Sequence, residues 1–285
     1  MPAPFVDPTL YVNWNALMAS RYVEAAWTLD SVELLTQGQR VLAFLWAHCR
    51  DSEGAMHHFY DGTAKVSGLL TDQVTVALAM LDAYDATSDR SYLDKAVHLA
   101  GIIEDGYLDT DGAGFYDLRG ERDTLGNLQF RTKNIEENAE AAELFRRLDL
   151  ATGNDRYATL RQSAMRAFAV DSRNYGYFAA GYARTYIRGT RPALEAHIVG
   201  QRGAAGTRSL LWGSLRLTEP SKALTVIDPA EDADLLDDLG YPSSPAPAAY
   251  LCHNGSCSAP IQQPADLAAA VQGFTTPFRE LRLTC

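Results

Sequence analysis

The sequence predicts a mainly α-helical chain of repeated helical hairpins, followed by a small α/β region at its C-terminal end. Three observations carry that reading. Apolar residues recur at helical spacing in paired segments separated by short polar turns. Markers of the turn and of the return loop recur in the same order along the chain. After Gly189-Thr190-Arg191-Pro192 the pattern changes to short β-like apolar runs around one helix.

In chain order, the Pro-rich start over residues 1–8 reads as an extended lead-in. A helix is predicted over 14–28, with Leu17, Met18, Tyr22, Ala25 and Ala26 on one face, and another over 32–49. A loop runs on to Asp61. The next pair is the clearest. Leu70, Val74, Ala77, Leu78, Leu81 and Tyr84 share one spacing, and Leu93, Ala96, Val97, Ala100 and Ile103 share the next. Thr87-Ser88-Asp89 supplies short polar side chains that accept from free helix N–H groups, and Ser91 with Asp94 resembles a capping box. Helices over 136–150 and 156–170 form a further pair, and 177–187 a shorter last one. That makes about seven helices before residue 190, an all-α region.

The repeat has two markers. The Thr87 to Tyr92 turn finds an echo in Thr152 to Tyr157. The return Glu53 to Asp61 resembles Asp111 to Asp117, which pairs Phe59 and Tyr60 with Phe115 and Tyr116; Asn174 to Phe178 is a weaker third copy. Units of this size cannot bury their apolar faces alone and stack on their neighbours.

Beyond the change of pattern, short strands are expected at 196–199, 223–227 and 249–252, with a helix at 206–215 and a last one opened by Pro264. The expected division is residues 1–190, an α-hairpin segment, and 191–285, a small α/β region.

Composition narrows the function. The 285 residues are 47% hydrophobic, enough for a large buried core, and carry a formal charge of −11. That charge disfavours nucleic acid and anionic membrane surfaces, because phosphate binding needs clustered Lys and Arg. No run of about 18 apolar residues suggests a membrane span. The start lacks a basic segment followed by an apolar one, so no secretory signal is read, and four cysteines in so long a chain fit a reducing cytoplasm. There is no Cys-x-x-Cys, His-x-x-x-His, Gly-x-Gly-x-x-Gly, P-loop or Gly-x-Ser-x-Gly, so neither a cofactor nor a metal is expected.

Three stretches carry a family resemblance. Tyr11-Val12-Asn13-Trp14-Asn15-Ala16-Leu17-Met18 resembles a Trp-Asn-Gly-Leu-Met helix start. Asp61 to Asp72 resembles an Asp-Gly…Gly-Phe-Leu-Glu-Asp-Tyr segment. Ala249-Tyr250-Leu251-Cys252 with Cys257 resembles an Ala-Tyr-Val-Cys…Cys signature. The family is that of YyaL-like proteins, related to spermatogenesis-associated proteins. The resemblance implies an (α/α) toroid of the six-hairpin glycosidase type. Family members also carry an N-terminal thioredoxin-like domain, which has no counterpart here. About twelve helices would complete such a toroid, so a partial toroid is expected, whose open face meets either a second copy or a missing N-terminal part. Where the family shows Pro-Ser-Gly-Asn-Ser, this chain has Asn134 to Ala139, and only Asn138 carries over.

The chemistry implied by the toroid is sugar chemistry, either glycoside hydrolase-like or sugar epimerase-like. Cleavage of a glycosidic bond needs two carboxyl groups, one to donate a proton and one to activate water or attack. Asp72 and Glu136, each near a helix start, are the expected catalytic pair; the same position suits acids that only favour the helix dipole. Tyr60 and Tyr116 at the returns, His58 beside them, and Trp14, Asn15 and Asn138 at helix starts are the expected sugar contacts. Aromatic packing and helix capping are the competing roles of these side chains. The alternative function is a non-catalytic interaction domain of a thioredoxin-linked protein. Cys252 and Cys257 could form a redox pair or half a metal site, and their spacing allows a bond, but reduced thiols are expected.

Overall fold

The structure is a computed structural model and describes residues 6–120, 130–242 and 246–272. The first five residues of the Pro-rich lead-in and the middle of the Tyr241–Ala248 connector lie outside them. The chain separates into two compact units: residues 1–84 with 89–187, and residues 85–88 with 188–285.

In the first unit, β1 (Leu10–Tyr11) leads into α1 (Val12–Leu29) and α2 (Val32–His48). A hairpin of β2 (His57–Tyr60) and β3 (Ala64–Ser67) follows, then α3 (Leu70–Thr87), α4 (Arg90–Tyr107), α5 (Ile135–Thr152) and α6 (Asp155–Arg166). A 3₁₀ stretch, Ser172–Ala179, is kinked at Gly176 (φ 54°) and leads to α7 (Ala180–Gly189). Each hairpin turn uses the same two devices. Ser88 (φ 59°) and Gly153 (φ 66°) take the left-handed conformation that ends a helix. Asp89 then accepts from Ser91 N–H, and Asn154 from Arg156 N–H. The cap of α4 is therefore Asp89, not the Ser91 of the expected capping box.

Helix α3 is the axis of this core. Leu70, Val74, Val76, Ala77, Met80, Leu81 and Ala83 are all buried, on every side of the helix, which is why its sequence is apolar all round. They share one cluster with side chains of α1, α2, α4, α5 and α6. Asp82 is the polar tie, accepting from Arg147 of α5 (2.7 Å) and from the Ser20 hydroxyl of α1.

The three-stranded sheet β1-β2-β3 falls where the sequence predicts only a loop. Its strands are two to four residues long and do not alternate in polarity, so periodicity cannot find them.

The second unit contains β4 (Leu194–Val199), α8 (Ala205–Leu215), β5 (Lys222–Ile227), α9 (Ala233–Asp238), β6 (Ala248–His253), β7 (Ser256–Cys257) and α10 (Leu267–Gln272). The sheet order is β5-β4-β6-β7, with β4 and β5 parallel and Val199 opposite Ile227; β6 and β7 are antiparallel. Val199, Ile227, Leu236, Ala248 and Tyr250 form a core cluster. The expected reduced thiols are instead joined: Cys252 and Cys257 form a disulfide. A two-residue turn with Asn254 and Gly255 at positive φ sets the two cysteines directly opposite each other across β6 and β7.

Among the described residues no helix is long and apolar enough to cross a membrane. Nor do they contain a group of three or more His, Cys, Asp or Glu side chains that could hold a metal ion.

Candidate active site

The site is built by a latch that recurs at the start of each hairpin. The fourth residue of α1, α3 and α5 is an amide: Asn15, Gln73 and Asn138. Each donates back to the carbonyl four residues earlier: Asn15 to Tyr11 (2.8 Å), Gln73 to Leu69 (3.2 Å) and Asn138 to Asn134 (2.9 Å). Gln73 and Asn138 also clasp the backbone of the preceding return. Gln73 accepts from Met56 N–H (2.7 Å) and donates to Met56 O (2.8 Å). Asn138 treats Phe115 the same way, at 2.7 and 2.9 Å. The returns match beyond the latch: His57 N–H bonds Cys49 O, and Tyr116 N–H bonds Tyr107 O.

These bonds fix the register of the repeat. Met56 corresponds to Phe115, so His57 corresponds to Tyr116 and His58 to Asp117. The expected pairing of Phe59 and Tyr60 with Phe115 and Tyr116 is thus three residues out. The bonds also bring Trp14, Asp72 and Glu137 to one equivalent position, the third residue of α1, α3 and α5.

Asp72 is fully buried and bonds His58 Nδ1 through both oxygens, at 3.0 and 3.3 Å. Burial raises its pKa to about 6; the His58 charge, the His58 hydrogen bond and the backbone N–H of Asn13 hold it from going further. Glu137 is half-buried, and its Oε2 is out of contact with solvent and without a hydrogen-bond partner. Its pKa rises to about 7, first from burial, then from repulsion by Asp117, Glu140, Asp72 and Glu136. Asp72 is thus one of the lesser charges that raise Glu137, behind burial, Asp117 and Glu140. Two carboxyl groups with pKa values raised toward neutrality can exist one protonated and one charged, which is the condition for one to donate while the other accepts.

Aromatic rings cluster beside His58. Tyr11 lies 4.9 Å from Trp14 and 5.7 Å from His58, centroid to centroid, and 6.3 Å from Phe59. Trp14 is 65% exposed.

The other expected residues fall elsewhere. Glu136 is exposed, its backbone N–H capped by Asn134, one residue out of register with Asp72. Asn138 is fully buried with its amide committed to Phe115 and Asn134, so it holds the frame and does not offer itself to a ligand. Asn15 likewise bonds backbone. Tyr60 packs against Phe44 and His48. Tyr116 lies under Arg131 and Lys133 and bonds Asp109. Of the two acids that open α5, Glu137 and not Glu136 holds the position equivalent to Asp72. The signal was an acid followed by an amide, Asp72-Gln73 and Glu137-Asn138.

No protein-family model matches the chain. Over 93% of its length it is 26% identical to spermatogenesis-associated protein 20 of Homo sapiens, and equally so to those of Rattus norvegicus and Mus musculus. It spans 36% of the length of each. Among solved structures, it is similar to a glycoside hydrolase family 76 α-mannanase from Bacteroides thetaiotaomicron, with a TM-score of 0.54 and 18% identity over 65% of this chain and 54% of that one. Cellobiose 2-epimerase from Bacillus thermoamylovorans gives a TM-score of 0.52 and 13% identity, over 58% of this chain and 46% of that one. The enzyme of the same name from Spirochaeta thermophila gives 0.50 and 17%, over 57% and 43%. The fold is thus the (α/α) toroid on which those sugar-acting enzymes are built. With that fold and a match along nearly its whole length, the chain is similar to spermatogenesis-associated protein 20, as the resemblance to the YyaL-like proteins implies.

Proposed function

We propose that the toroid unit binds a sugar and cleaves its glycosidic bond by acid–base catalysis. The observation that carries this reading is the placing of two acids, Asp72 and Glu137, at equivalent helix starts, with burial raising their pKa values to about 6 and about 7. Glu137, protonated near neutrality, delivers the proton to the leaving oxygen. Asp72, oriented by His58, supplies the charged partner that activates water or attacks the sugar. Trp14 offers an exposed aromatic face for a sugar ring. Similarity to an α-mannanase and to cellobiose epimerases makes oligomannosides and cellobiose the substrates to try first.

The test is turnover of α-mannan oligosaccharides and of cellobiose, followed by reducing ends and by chromatographic separation of epimers. Asp72→Asn and Glu137→Gln are each expected to lower the rate by about 100-fold or more with the fold intact. A wild-type chain that neither binds nor alters any of these sugars sinks the proposal. Epimers without new reducing ends would replace cleavage by isomerisation at the same acids.

One observation favours the second reading, a non-catalytic interaction domain. Leu17 and Met18 of α1 are about half exposed, beside Trp14 on the same face, which fits packing against another helical hairpin. Under that reading Leu17→Lys with Met18→Glu abolishes self-association measured by light scattering and leaves sugar binding unaffected.

A further inference from the structure

The second unit contains a crevice that the sugar reading does not use. Strands β4 and β5 are parallel and joined by α8, and the crevice, about 450 Å³, lies at their carboxyl ends. Gly200 directly follows β4 and Asp228 directly follows β5; both line it, as do Gly206 and Thr207 of the first turn of α8. Ligands of α/β sheets bind at this place because the loops there part and a helix N-terminus faces the opening.

Three features equip it for an anion. The first N–H groups of α8 have no carbonyl of their own helix to bond, and the N-cap residue, Ala204, has no side chain to cap them. Thr207, which lines the crevice, is 3% exposed, and its hydroxyl, set against Gly200, has no hydrogen-bond partner, a cost that an acceptor would remove. Glycine is required where the walls close up: a Cβ on Gly200 would lie 2.6 Å from Thr207 Oγ1, and one on Gly206 would lie 2.9 Å from Pro247.

Across the crevice sit acids, and their state sets what else the ligand carries. Asp228 accepts from Arg202 N–H (2.8 Å) and Ala230 N–H (3.0 Å), so its charge is already matched by donors. Arg202 pairs with Glu231 and Asp232 on the same side. Carboxylates so placed repel a second anion but accept from hydroxyls.

We propose that this crevice binds a phosphate monoester carried on a hydroxylated body, a sugar phosphate. The phosphate bonds the N–H groups of Gly206 and Thr207 and the Thr207 hydroxyl, and ligand hydroxyls face Asp228 and Glu231.

The experiment is calorimetric titration of the whole chain with ribose 5-phosphate, inorganic phosphate and ribose at fixed ionic strength. Ribose 5-phosphate is expected to bind more tightly than inorganic phosphate, and ribose alone to give no heat. Thr207→Val, which keeps the shape and removes the hydroxyl, is expected to weaken binding about 10-fold or more, and Thr207→Ser to restore it. Ala204→Asp supplies a capping carboxylate in the place of the phosphate. It is expected to abolish binding while raising the melting temperature, so loss of binding cannot be loss of folding. Absence of binding to the folded wild type, equal affinity in Thr207→Val, or binding of ribose as tight as that of its phosphate would each overturn the proposal.

Discussion

The return before α3 and the return before α5 are one structure with different chemistry. Each ends in a backbone residue clasped by a helix amide, Met56 by Gln73 and Phe115 by Asn138. Each places a titratable side chain two residues further on and an acid one residue before the amide. In the first, His58 faces Asp72; in the second, Asp117 lies close enough to Glu137 to raise its pKa. A base opposite one acid restrains its pKa, and an acid opposite the other pushes it up. The contrast shows how a repeat acquires a site: the frame is copied, and one substitution in each copy separates the roles of two carboxyl groups.

The sharpest way to break the contrast is to make the two returns alike. His58→Asp sets a like charge against a fully buried carboxyl group. It is expected to cost about 100-fold in kcat/KM on whichever sugar the chain turns over; unchanged turnover would leave the contrast without functional content.

The latches should behave identically despite the different acids. Asn138→Leu leaves the buried N–H and C=O of Phe115 unpaired and is expected to cost on the order of 3 kcal/mol, with Gln73→Leu close behind, as read by urea unfolding. A much smaller loss at either position would mean that the returns hold without their amides.

Glu137 provides a test by pH. Its folded pKa of about 7 lies above its ordinary 4.5, so the folded chain keeps this proton longer than the unfolded one. That contribution is complete below about pH 4.5 and is lost as pH rises through 7. Glu137→Gln removes the dependence and is expected to be more stable than wild type at pH 8 by about 2 kcal/mol, with the gap closing toward pH 4.5. Parallel melting curves across that range would contradict it.

The smallest effect concerns the turns at the other end of the hairpins. Asp89→Ala and Asn154→Ala remove equivalent caps, and each is expected to cost about 1 kcal/mol in thermal melts.

The sequence made the helices legible because their burial is periodic, and the hairpin turns because Asp89 and Asn154 act locally. It did not reveal β1 to β3, where pairing between distant residues such as Tyr11 and Phe59 creates the strands. Glu136 lies one residue from the position equivalent to Asp72, and the sequence hides this for a related reason. First-turn acids look alike in sequence, and only the bonds of Gln73 and Asn138 to backbone 17 and 23 residues away show which acid is equivalent to Asp72. The disulfide is not legible in the sequence because the opposition of Cys252 and Cys257 across β6 and β7 is a matter of strand register.

The latch has a consequence for the order in which the chain takes shape. The amide that closes each return belongs to the helix that comes after it, so a newly made return has open backbone groups until the next hairpin has been synthesised. A nascent chain halted after residue 60 would therefore leave the backbone at Met56 without its amide partner and open to proteases and to pairing with other chains.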